Sequence, residues 1–146
     1  MPPDCGLMDK HSSGTKGNKK WLTYAFTANA DGSKKLLLLI IGKAAWPWAF
    51  QKKTGAQLCF YYWNNVKAWM VTKIYQEWLC DWDEKLQQQD RHILLLQDNS
   101  SAHIKPDDLT NVHVENFTAN LTAHVQPNDA GIIHCFKVHY HGKFVS

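Results

Sequence analysis

Two unbroken apolar runs, Leu36 to Ile41 and Ile93 to Leu96, read as short buried strands, because a helix needs more length and a half-exposed strand would alternate. Ahead of the first run, Trp21, Leu22, Tyr24, Ala25 and Phe26 predict a strand within residues 20–30. Asn29-Ala30-Asp31-Gly32-Ser33 between them carries an Asp-Gly turn signal, so the two strands are expected to form an antiparallel hairpin. The second, closed by Gly42, is apolar on both faces and belongs in the middle of a sheet. Leu58 to Tyr62 adds a short strand before an Asn64-Asn65 turn.

Thr72 is placed to cap a helix over residues 73–88. Ile74, Tyr75, Trp78, Leu79, Trp82 and Leu86 recur there at spacings of three and four and make one broad apolar face. Glu77, Asp81, Asp83 and Glu84 fall elsewhere on that helix and are expected in solvent. The Ile93 strand is expected to be covered on both faces and to share the hairpin's sheet. Val112, Val114 and Phe117 alternate with His113, Glu115 and Asn116, which predicts a strand with one wet face. A last helix should start near Pro127-Asn128-Asp129, with Asn128 as its cap and Asp129 a favourable first-turn acid, and run through Ile132, Ile133, Phe136 and Tyr140.

This order of elements predicts an α/β fold, a mixed sheet flanked by helices. Residues 1–19 show no apolar period and read as a polar arm, leaving residues 20–146 as the domain. A sheet of this kind is usually opened by a strand that joins the first hairpin, and the arm holds no candidate for it.

Composition changes the picture only at the margins. The 146 residues are 45% hydrophobic and 20% charged, which places them with soluble globular proteins rather than disordered ones. A net charge of +3 permits a polyanionic partner without requiring one. The longest apolar run falls far short of the roughly 18 residues of a membrane span, and Asp4 and Asp9 stand where a signal peptide would be apolar. An intracellular chain with no membrane partner is therefore expected. Cys5, Cys59, Cys80 and Cys135 are widely spaced, so reduced, mostly packed thiols are the default.

Four stretches raise chemistry. Asp98 and Asn99 close the second apolar run, and in an open α/β sheet the carboxyl ends of strands are where ligands and metals are met; an Asx turn with Ser100 and Ser101 is the alternative reading. Gly42-Lys43 lacks the spacing of a phosphate loop. Trp46-Pro47-Trp48 could stack on unpaired bases, against which stands simple packing at a sheet edge. His134, Cys135, His139 and His141 are close in sequence and of types that suit zinc, yet their spacing fits no closed tetrahedral site.

Asn29-Ala30-Asp31-Gly32 with Ile41-Gly42-Lys43, Leu94-Leu95-Leu96-Gln97-Asp98-Asn99 with Ser101-Ala102-His103, and Val125-Gln126-Pro127-Asn128-Asp129-Ala130-Gly131-Ile132-Ile133 occur in one order. Together they resemble the catalytic domain of pogo and Tigger type transposases, the DDE superfamily endonuclease group that includes the Jerky and centromere-protein-B derived proteins. The resemblance runs from Met1 to about Phe144, with fungal members nearest in phrasing. It implies a ribonuclease H-like fold in which three acids hold two magnesium ions, with manganese as a possible replacement. Two of the acids fall on Asp98 and Asp129, 31 residues apart, and carboxylates suit such hard cations. The resemblance also gives Asn99 and His103 a role behind the metal ligands or against a substrate phosphate. The first acid belongs to an Asp-Glu-Thr-Gly segment ahead of the Pro-Pro-Asp that matches Pro2-Pro3-Asp4.

Trp21, Trp48, Trp63, His134 and Cys5 stand where the resembling sequences carry Arg. With seven Trp and one Arg in the chain, this looks like the mutational decay of a silenced element. The resemblance therefore implies a nuclear, transposase-derived domain that binds DNA weakly and without sequence preference, catalytically inactive as it stands, with magnesium held weakly or not at all. A non-enzymatic interaction or structural module, self-associating through an uncovered sheet edge, is the alternative reading.

Overall fold

The run Leu36 to Ile41 supplies β2 (Leu38–Gly42), the middle strand of a three-stranded sheet ordered β1-β2-β3. The computed structural model describes residues 21–118, 126 and 128–145 and falls into two compact units, Met1–Trp69 with Val138–Ser146, and Met70–Lys137. Each unit has its own sheet.

In the first unit β1 (Thr23–Ala25) runs antiparallel to β2, with Tyr24 opposite Ile40, so the expected hairpin is present. Its turn uses the residues that signalled it. Asn29 Oδ1 accepts from the Lys34 N–H at 2.8 Å, Asp31 Oδ1 accepts from the Ser33 N–H at 2.9 Å, and Gly32 takes the left-handed φ of 70° that a side chain would resist. β1 is shorter than the apolar pattern suggests: Trp21 and Leu22 stay exposed beyond it. β3 (Phe60–Asn64) pairs parallel to β2, with Tyr62 opposite Ile40. Leu39 and Ile41 are the fully buried residues of this sheet, on one face as period-2 alternation requires.

The parallel pair needs a crossover, and it is built from two 3-10 turns, Trp48–Phe50 and Ala56–Leu58. Gly55 starts the second. Its carbonyl accepts from the Leu58 and Phe60 N–H groups, each at 3.0 Å, and a Cβ on it would sit 2.8 Å from the Phe60 carbonyl oxygen. Gly55→Ala is therefore expected to cost about 1 to 3 kcal/mol by overpacking against backbone, read as a lowered urea midpoint. A midpoint equal to the parent's would show that the turn relaxes freely.

The second unit is built on α1 (Thr72–Gln88) and a two-stranded parallel sheet of β4 (Ile93–Gln97) and β5 (Val112–Asn116), with Leu95 opposite Val114. Val71, extended and with no side-chain hydrogen bond, takes the cap position expected of Thr72, which becomes the first helical residue. Tyr75, Leu79 and Leu86 from α1 meet Val112 and Val114 from β5 in one core, and Trp78, Trp82, Ile93 and Leu95 pack around it. The helix face predicted from spacing is the face that is buried.

Three expectations are corrected. β4 does not share the hairpin's sheet: it pairs with β5, and among the described residues no strand links it to β1-β2-β3. Neighbouring strands must lie about 4.8 Å apart to bond, so a sheet is continuous only where each strand finds its neighbour. Nor is β4 covered on both faces. Ile93, Leu95 and Gln97 turn inward, while Leu94 and Leu96 are 59% and 51% exposed; an unbroken apolar run cannot say how many faces are covered. Among the described residues the thiols are free but less packed than expected, Cys59 and Cys135 being exposed, the former in a left-handed conformation at the end of its turn.

The chain ends in a π-helical turn, Asn128–Ile132, that leads into α2 (Ile133–Val145), where sequence placed a helix beginning at Asn128. No described helix is long and apolar enough to cross a membrane. The polar arm of residues 1–19, with Cys5, Asp4 and Asp9, lies outside the described residues.

Candidate functional site

β4 delivers Asp98 at its carboxyl end. The turn that follows, closed by the His103 N–H donating to the Ser100 carbonyl at 2.9 Å, brings the chain back over that end. His103 Nδ1 then lies 2.5 Å from Asp98 Oδ1. Both atoms are buried, and neither has another partner among the described residues. Asn99, between them, is exposed. A short turn thus places one carboxylate oxygen and one imidazole nitrogen face to face, with the rest of the Asp98 side chain reaching solvent.

Two residues on the strand and helix hold this arrangement. Gln97, the last residue of β4, turns inward with Ile93 and Leu95 and is buried. A buried amide must find partners, and Gln97 finds three. Its Nε2 donates to the His103 carbonyl at 3.0 Å and to Asn116 Oδ1 at 2.7 Å, and its Oε1 accepts the Tyr75 hydroxyl. The Tyr75 ring lies 4.8 Å from that of His103, tilted by 30°. Burial, with the charge of Asp98 adding, pushes the Tyr75 hydroxyl up to about 12 against the opposing hydrogen bond to Gln97. The phenol is thus a proton donor at neutral pH, and the ring caps the imidazole from the helix side.

The connection from Asp98 to β5 has no helix of its own and is fastened to α1. Gln76 Nε2 donates to the Ile104 carbonyl at 3.3 Å. Farther along, Asp83 accepts from four donors: Oδ1 from the Asn111 and Val112 N–H groups at 2.8 Å each, and Oδ2 from the Thr110 N–H at 3.2 Å and its hydroxyl at 3.1 Å. Asp83 is 8% exposed, which corrects its placement in solvent. It lies four residues after Leu79 and three before Leu86, on the buried stripe itself, and that spacing was the available signal. Burial alone would raise its carboxyl, but the Thr110, Asn111 and Val112 N–H groups and the Thr110 hydroxyl together hold it below its ordinary value.

Asp129 lies in the π-helical turn Asn128–Ile132, and its side chain is outside the described residues. Of the residues singled out by sequence, Asp98 and His103 are therefore brought together and Asn99 faces solvent. Tyr75 and Gln97 were missed as parts of the site, because spacing marked Tyr75 only as core and a glutamine ending an apolar run reads as the start of a loop. His134, Cys135 and His139 are exposed on α2 and His141 half-buried. Among the described residues no group of three His, Cys, Asp or Glu is gathered to hold a metal ion. Beyond the oxygen that faces His103, the Asp98 side chain is 41% exposed, and a carboxylate reaching solvent at a strand end is the kind of hard donor a divalent cation takes.

Residues 19–146 match the family described as DDE superfamily endonuclease. Among curated proteins, the chain is 35% identical over 132 residues to Tigger transposable element-derived protein 4 of Mus musculus, covering 88% of this chain and 25% of that one. It is 31% identical over 154 residues to CENP-B homolog protein 2 of Schizosaccharomyces pombe, covering 99% and 30%. ARS-binding protein 1 of the same yeast is 28% identical over 138 residues, covering 88% and 26%. The chain thus spans about a quarter to a third of the length of these relatives. No solved structure matches it.

Proposed function

The chain belongs to the DDE superfamily endonucleases, and from that premise we propose that it is a nuclear, ribonuclease H-like nucleic-acid-binding domain that does not cleave DNA as this 146-residue chain. The observation that carries the site is Asp98 at the carboxyl end of β4, one carboxylate oxygen buried and facing His103. A rigid strand end is where a metal ligand has to be presented. Asp98 and Asp129 are the residues that would hold magnesium or manganese. When bound, such ions activate water and stabilise the leaving oxygen of a phosphodiester.

The chain's own residues do the positioning. Gln97 fixes the turn through the His103 carbonyl, Tyr75 packs on the His103 ring, and His103 holds the Asp98 carboxylate in one orientation. Taken as a pair, Asp98 and Asp129 give less charge neutralisation than the three acids that paired ions use, so the pair by itself gives little support for in-line displacement. Binding of DNA through lysines to phosphate is supported by family membership and by a relative named for binding ARS. Such binding is indifferent to base sequence and falls steeply with salt.

Plasmid nicking in magnesium and then manganese tests the reading, with Asp98→Asn as control. The parent chain is expected to leave supercoiled plasmid intact in both metals, and cleavage by the parent that Asp98→Asn abolishes would overturn the inactive reading. The exposed Leu94 and Leu96 on the outer face of β4 favour a second reading, a protein-interaction module that self-associates. Calorimetry and sedimentation separate the two: magnesium binding lost in Asp98→Asn belongs to the first, and concentration-dependent self-association without DNA binding to the second.

A further inference from the structure

The two units differ sharply in charge. Met70–Lys137 holds ten of the chain's 13 acids, whereas between Gly32 and Gln76 there is no acid at all. Within that acid-free stretch lie six lysines of the first unit and three of the chain's most exposed tryptophans, Trp46, Trp48 and Trp69, which are 55%, 87% and 59% exposed. An exposed indole presents a flat apolar face on which a planar partner can stack.

These tryptophans are presented by pinned loops. β2 and β3 are parallel, so the segments that follow them leave from the same end of the sheet, and the Asn65 N–H donates to the Gly42 carbonyl at 3.0 Å where they part. The segment after β2 is fastened on both sides of Trp46-Pro47-Trp48 to one residue. The Tyr62 hydroxyl donates to the Ala44 carbonyl at 2.7 Å, and the Phe50 ring meets the Tyr62 ring edge-on at 4.8 Å. Pro47 is extended and Trp48 opens a tight turn, so both indoles project from a clamped excursion. The segment after β3 is closed by Asn65. Its Oδ1 accepts from the Lys67 and Trp69 N–H groups, its Nδ2 donates to the Trp69 carbonyl at 2.6 Å, and Ala68 is turned inward and fully buried. Lys67 and Trp69 are left facing out, as is Lys43 beside Gly42.

We propose that this end of the β2–β3 pair, with Trp46, Trp48 and Trp69 as stacking surfaces and Lys43 and Lys67 as phosphate contacts, binds single-stranded nucleic acid. The pattern is that of sequence-tolerant single-strand binders, in which bases stack on aromatic rings while cations track the backbone. A duplex keeps its base faces inside and offers them only phosphates. The proposal rests on the nucleic-acid reading above for the class of partner and adds the strand form and the surface.

The test is fluorescence anisotropy of a labelled 16-nucleotide thymidine oligomer and of a mixed-sequence duplex of equal length, with the full chain at low and moderate salt. The single strand is expected to bind about 10-fold tighter than the duplex. Trp48→Ala should weaken the single strand about 10-fold, as the loss of one stacked base implies, and leave the duplex unchanged, while Trp48→Phe recovers most of the loss. Trp48 is the most exposed of the three, so circular dichroism matching the parent accompanies each variant. Duplex binding that equals or exceeds single-strand binding and ignores Trp48 overturns the platform and leaves the broader reading standing. Absence of binding to either overturns both. Binding to phosphatidylserine vesicles that exceeds binding to the oligomer identifies an anionic membrane as the occupant and overturns the proposal.

Discussion

Asp83→Ala is expected to destabilise the second unit by about 3 to 5 kcal/mol, since a charged acceptor is lost and four donors are left to find others. Three of those donors are backbone N–H groups, and those of Asn111 and Val112 are buried with the carboxylate. The loss is a large part of the roughly 5 to 15 kcal/mol that holds a typical domain. Asp83→Asn should cost less, because the amide oxygen can keep Asn111 and Val112 while the amide nitrogen faces the Thr110 donors. The carboxyl is held below its ordinary value, so its contribution is present above the unfolded value of about 3.9 and is lost as pH falls through the lower folded one. The difference between parent and Asp83→Asn should therefore be full at neutral pH and shrink below about pH 4. Urea midpoints measured at pH 7 and pH 3 read it out, with the exposed Asp81→Ala as control. An Asp83→Ala midpoint no lower than the control's would mean that the fastening of β5 to the helix carries no stability.

Leu79→Ala is the second large effect. Leu79 is fully buried at the centre of the α1 core, and such truncations cost about 2 to 5 kcal/mol, the more so where the cavity cannot collapse. For a unit of this size the thermal midpoint should fall by roughly 10 to 30 °C. Leu79→Met keeps the volume and should cost less than about 1.5 kcal/mol. Differential scanning calorimetry of the two variants decides, and equal losses in both would show that shape rather than volume governs the position.

The helix and β5 were legible because their periods are clean: Leu79 and Leu86 recur at helical spacing, and Val112 and Val114 alternate with His113 and Glu115. Strand pairing was less so. The run Ile93 to Leu96 marks a strand, but the partners of β4, its parallel pairing with β5 and the exposure of Leu94 and Leu96 are set by which strand lies beside it, which hydropathy does not encode. Asp98 stood out as an acid ending an apolar run. Its partner His103 was visible as a nearby histidine, whereas the contact depends on a turn closed by Ser100. Asp83 was misread because an acid in an amphipathic helix is usually wet; only its distance from Leu79 and Leu86 places it inside. Gln97 is the same case on a strand, a polar residue in inward phase.

The division into units has a consequence in the order of synthesis. Met70–Lys137 is a single uninterrupted stretch, so every group of its core and of the Asp98 turn exists once Lys137 has been added. The other unit is begun first and completed after it, because Val138–Ser146 belongs to it and the burial-raised hydroxyl of Tyr24 feels Tyr140. At roughly 5 to 20 residues per second, the sheet of β1, β2 and β3 waits several seconds for its last segment while the acid-rich unit has all it needs. Of the two units, the basic one is the one that stays incomplete longer.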